Sequence, residues 1–132
     1  MRDNTARADV GKLVLRLALG LLILLHGIAK IRGGLDPIVG MLQAHGLPGF
    51  LAYGAYVGEV LAPLMVLAGF YARIGGLLIA INMLVALALA HMGQLGQLND
   101  QGGWALELQG MFLATAVAIA CLGPGRYSAN GK

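Results

Sequence analysis

The chain has 132 residues, 58% of them hydrophobic and only 11% charged, with a mean hydropathy of +0.78, whereas a soluble domain carries about 25% charged residues. A soluble core of this size cannot bury so much apolar surface and a disordered chain is poor in apolar residues, so both classes are excluded. The net charge of +3 comes from Lys and Arg scattered beside apolar runs rather than gathered in a stripe, which excludes a nucleic-acid partner and leaves one membrane domain over residues 1–132.

Residues 1–12, MRDNTARADVGK, are polar, and the apolar run after them shows no small-residue cleavage signature before Lys30, so it reads as a retained helix. Apolar runs occupy about 13–31, 49–71, 74–92 and 104–122. Each is near the ~20 residues that ~30 Å of hydrocarbon requires, and continuous Leu, Ile, Val and Ala without strict alternation selects helices over a barrel. The fold class is therefore all-α, a four-helix transmembrane bundle with the lipid bilayer as its first partner. Arg2, Arg7, Lys12, Arg16, Arg73, Arg126 and Lys132 fall at one end of these spans, Lys30 and Arg32 at the other. That bias puts both termini and the 71–73 turn in the cytoplasm, with loops 32–48 and 93–103 facing outward.

In the first outer loop, Asp36 suits a helix N-cap, Pro37 the first helical position and Gly46 a helix end. Ile38, Met41, Leu42 and His45 share a face, so a short amphipathic helix lying in the membrane interface is expected. The second outer loop, GQLGQLNDQGG, has no periodicity and reads as irregular. Small residues at four-residue spacing, Gly54/Gly58, Ala86/Ala90 and Ala114/Ala118, allow close approach of helices. Pro63 is expected to kink the second span and free a carbonyl near Glu59. Arg16 with His26 and Arg73 with His91 form a short echo between spans one and three, hinting at two related hairpins. The lone Cys121 precludes an internal disulfide or CxxC pair.

Charge within a membrane carries the chemistry, since a charged side chain at a helix centre costs roughly 2.5–3.5 kcal/mol on insertion scales. Glu59 sits near the middle of span two, while His26, Lys30, His91 and Glu107 fall in the outer half. His26 and Lys30, four residues apart, are expected on one face. The five define an outward-facing polar pocket suited to proton exchange or to hydrogen bonding a small polar head such as a quinone carbonyl. Glu59 weighs evenly between ligand contact and structural partner of Lys30, His26 or His91; for Glu107 the structural reading leads. His26 and His91 read as pocket histidines rather than axial haem ligands, and no metal site is assigned. Arg16 is expected to snorkel to the cytoplasmic headgroups, Asn82 to bond between helices, and Tyr53, Tyr56, Tyr71 and Trp104 to sit in the interfacial belts.

Taken in order, Arg16 with Gly20, Leu25-His26-Gly27 with Lys30, Gly58-Glu59-Val60, Arg73, Met83, Ala86, His91, Gly102-Gly103 with Glu107, and the ending Gly123-Pro124-Gly125-Arg126-Tyr127-Ser128 resemble the DoxX-like membrane proteins. The tail departs from the family pattern: Ala129-Asn130 follow Ser128 where relatives continue Leu-Asp. Glu107 also lies further beyond the glycine pair than in many relatives. The resemblance implies a bacterial inner-membrane protein linked to subunits of thiosulfate:quinone oxidoreductase and to quinone-handling redox complexes. A redox component binding a quinone or similar ring beside His26, Glu59, His91 and Glu107 is the first functional expectation. No nucleotide or flavin motif is present, so electrons would come from a redox partner protein or a cofactor the sequence does not reveal. A scaffold for partner proteins or for copies of itself, and a small-solute transporter, are the alternatives.

Overall fold

The computed structural model of the protein describes residues 2–91, 93 and 96–132, with the backbone alone for 2–4, 90 and 91. The described residues form helices and no strand; the one pairing of β type among them is an isolated bridge between Leu98 and Trp104. In chain order the elements are α1 (Arg2–Gly33), α2 (Asp36–Ala44), α3 (Gly49–Ala68), α4 (Ala72–Ala86, continued by a π turn at Leu87–His91) and α5 (Glu107–Leu122). The segments Thr5–Gly33, Gly49–Ala68 and Ala72–Leu89 are each long and apolar enough to cross a membrane. The fourth, α5, has 16 residues and rises about 24 Å, short of the ~30 Å of a typical hydrocarbon layer.

α1 packs on α3, α3 on α4, α4 on α5 and α5 back on α1. The core between them is Leu19 and Ile23 of α1, Ala62 and Val66 of α3, Ile79 and Met83 of α4, and Phe112, Ala116 and Ile119 of α5. Outside that core the helices are apolar as well, with Leu25 62% and Leu84 54% exposed. Surface of that kind is stable only against lipid, so the chain is a membrane protein.

Small residues set the spacing, though not all at the expected positions. Gly58 does admit a neighbour, since a Cβ there would overlap the Asn82 side chain, but Gly54 has no atom within 4 Å of its Cβ position. The approach of α4 to α5 lies at Gly76, against the carbonyl of Ala116 and the amide of Ala120, while Ala114 is exposed. The contact on α5 thus uses the pair 116/120 in place of 114/118. Both pairs carry the same spacing, and only packing tells them apart. The side chain of Ala90 lies outside the described residues.

α2 also differs in detail from expectation. Leu35 is the N-cap, and Asp36 is the first helical residue, followed by Pro37 in the first turn. Its end is as expected: Gly46 has φ 74°, Gly46 N–H donates to Gln43 O and Leu47 N–H to Leu42 O, a Schellman stop. α2 packs across the first turn of α3 and the last turn of α4 through Leu35, Leu42 and Ala52.

The loop before α5 is irregular, as expected, and its described residues 96–106 are held by turns. The Asn99 side chain accepts from the amides of Gln101 and Gly103, Ala105 N–H donates to Gln97 O, and Gly102 takes φ 87°. Asn in a tight turn bonding its own following backbone is the local signal that periodicity alone does not register.

Candidate functional site

Glu59 owes its position to Pro63. A proline cannot donate to the carbonyl four residues earlier and its ring displaces that carbonyl, here Glu59 O. The backbone absorbs this as a π turn over Val57–Leu61, and α-helix resumes at Ala62. Such turns inside helices recur at functional sites. The displaced Glu59 carbonyl faces Gly27 of α1, where a Cβ would collide with it and with Val60. Gly27 therefore lets α1 close on α3, and Lys30, one turn further along α1, reaches the carboxylate.

Lys30 Nζ donates to Glu59 Oε1 at 2.5 Å. Glu59 is buried and the Lys30 side chain is 29% exposed. The pair forms part of the wall of a half-open cavity of about 680 Å³ lined mainly by α2, α3 and α4. Ile38, Met41 and Leu42 of α2 roof it, Ala52, Ala55 and Val57 of α3 form one side, and Leu78, Met83 and Leu89 of α4 the other. Asn82 of α4 is its third polar lining residue. The volume falls in the range of small-molecule sites, and so does the composition, apolar with a few polar groups.

Two of the five residues read as ligand contacts, Lys30 and Glu59, are brought together here. His26 is exposed on α1 and meets the Phe112 ring edge-on, centroids 5.8 Å apart at 81°. Four residues of helix turn about 400°, so His26 and Lys30 point some 40° apart, and α1 is packed between α5 and α3. Glu107 is exposed in the first turn of α5 beside Gly103, away from the cavity lining. The side chain of His91 lies outside the described residues. Among the described residues no group of three or more His, Cys, Asp and Glu is placed to hold a metal.

Arg16 overturns the expectation of snorkelling. It is 1% exposed, and its guanidinium donates to Val66 O at 2.8 Å and Leu67 O at 3.0 Å on α3, and to Pro124 O at 2.9 Å and Tyr127 O at 2.6 Å in the tail. The last turn of α3 leaves Leu67 O without a helical partner and Val66 O with only the cap amide of Gly69, and it carries the negative end of the helix dipole, so a buried cation is favoured there over one in the headgroups. The tail then folds back over this end. Ala129 and Asn130 donate to Ala68 O and Gly69 O, and Asn130 Oδ1 accepts from Tyr71 N–H at 3.0 Å just before α4.

A part-buried ion pair on the wall of an apolar cavity, among helices whose apolar faces are exposed, defines a membrane protein. The chain belongs to the DoxX family, whose model matches residues 11–92. That match takes in Arg16, His26, Lys30, Glu59, Arg73 and His91 and stops short of Glu107 and the tail. A curated relative from Bacillus subtilis (strain 168), named "Putative oxidoreductase CatD", is 27% identical over 106 residues, 80% of this chain and 78% of that protein. No solved structure matches.

Proposed function

We propose that the protein is a membrane component of a redox system, holding a quinone or similar lipid-soluble ring in the cavity between α2, α3 and α4 with its polar head against Lys30 and Glu59. The observation that carries this is the Lys30–Glu59 pair on the wall of an otherwise apolar cavity of about 680 Å³. Ionisable side chains at membrane depth are costly and mark ligand and proton sites. The name of the Bacillus relative supports the redox reading. Reduction of a quinone consumes two electrons and two protons; we assign the electrons to a partner redox protein and give Glu59 and Lys30 the exchange of protons with the bound ring. His26 and Glu107 stand outside this cavity and take no part in the proposal.

We further propose that α5 is a fourth crossing, that α2 lies at the outer interface of a bacterial inner membrane, and that both termini face the cytoplasm. The support is the excess of Lys and Arg at the terminal end.

The test is ligand retention. Purified protein is expected to carry an extractable quinone with its absorption, and Glu59→Gln to lose most of it while keeping its melting temperature within a few degrees. Gln preserves shape and hydrogen bonding and removes the titratable charge. Equal retention by both proteins overturns the site.

A further inference from the structure

We propose that Asn82 is a third ligand contact in this cavity and that the molecule bound there is an uncharged amphiphile whose head accepts hydrogen bonds. The inference rests on the cavity reading above and deepens it. Asn82 is neither charged nor a proton carrier, and on sequence alone it belongs to helix packing. Its side chain rests on Gly58, where a Cβ would come within 2.5 Å of its Cβ and Cγ and 2.8 Å of Oδ1. Gly58 thus leaves room for the amide and sets it beside the residue that precedes Glu59. Among the described residues none hydrogen-bonds the Asn82 side chain, although an amide at membrane depth gains from a partner. Asn82 is half-buried and lines the cavity, so the space from which a partner can come is the cavity itself.

The charge of the site then selects the head. Lys30 and Glu59 neutralise each other, leaving a wall with no net charge, an amide N–H donor and an acceptor oxygen on Asn82, and a second carboxylate oxygen on Glu59. An anionic head would bring a second negative charge toward Glu59, a cationic head a second positive charge toward Lys30, in both cases at low dielectric. An uncharged head avoids that cost: a carbonyl accepts from the Asn82 amide or Lys30, and a hydroxyl can in addition donate to the oxygens of Asn82 and Glu59.

The experiment embeds wild type, Asn82→Leu, Asn82→Ala and Glu59→Gln in lipid nanodiscs and measures retention of decylbenzoquinone, decylbenzene and dodecanoate against empty discs. Wild type is expected to retain the quinone, and the Asn82 variants about tenfold less, the worth of one net hydrogen bond. Decylbenzene, which has no head to bond, is expected to bind wild type and the Asn82 variants alike. If Asn82→Leu disturbs folding, Asn82→Ala leaves the Gly58 contact free of bulk and decides the matter. Undiminished quinone in both Asn82 variants, with loss in Glu59→Gln, removes Asn82 from a site that otherwise stands. Equal loss of quinone and decylbenzene shows damage to cavity shape and overturns the contact. Dodecanoate retained as well as the quinone overturns the uncharged head. No retention of any probe by wild type overturns the cavity reading and this inference with it.

Discussion

Arg16 and Glu59 are the two buried charged side chains among the described residues, and they are satisfied in opposite ways. Glu59 is matched by one opposite charge, Lys30, whereas Arg16 is matched by four neutral carbonyls, two from α3 and two from the tail. The planar fork of a guanidinium serves several acceptors at once; an ammonium, as a single point, cannot. Arg16→Lys is therefore expected to lose about 2 kcal/mol, since carbonyls of a buried helix end are left without donors. Thermal unfolding in detergent would show it, together with faster tryptic cleavage after Arg126 as the tail detaches. A melting curve like that of wild type, with the tail still protected, would refute the clamp.

The helices meet through backbone, and glycine positions on them differ in consequence. Gly27 lies directly on the Glu59 carbonyl displaced by Pro63, so Gly27→Ala must separate α1 from α3 or distort the π turn. A loss of about 3 kcal/mol is expected, from overpacking against backbone that cannot move aside. It should also weaken ligand retention, because Lys30 is carried on the next turn of α1. Gly54→Ala is the contrasting case: its Cβ position is open, and the substitution is expected to be neutral or to stabilise α3 by about 0.5–1 kcal/mol by removing the entropy that glycine loses in a helix. Paired melting temperatures check both, and a Gly54→Ala protein less stable than Gly27→Ala would contradict the packing described.

Across the whole molecule, one end is closed by the tail and the other is roofed by α2. Residues 123–132 tie α1, α3 and α4 together through Arg16, Ala68, Gly69 and Tyr71, while Ile38, Met41 and Leu42 cover the cavity. A reporter fused after Lys132 is expected to read cytoplasmic and one inserted near Asn99 external. An external carboxyl terminus would reverse the orientation while leaving every packing contact in place.

Helices, their apolar faces and the membrane setting were legible in the chain because each depends on local composition: hydropathy marks the long apolar segments, Gly46 a helix stop, and Pro63 the disturbance at Glu59. Lys30 and Glu59 also stood out, since charge inside an apolar run is visible without coordinates. Which of Lys30, His26 and His91 would meet Glu59 was not visible, nor that His26 and Glu107 would lie off the cavity lining, because which neighbour a helix face meets depends on its rotation about its own axis. Asn82 became a cavity residue only once α4 was packed against Gly58 of α3. Arg16 became a clamp only once Tyr127, 111 residues away in the chain, was folded back onto it. Short-range pattern determined what can cross the membrane; the close approach of backbones at Gly27, Gly58 and Gly76 decided which polar groups meet, because contacts between distant segments follow from packing and not from spacing.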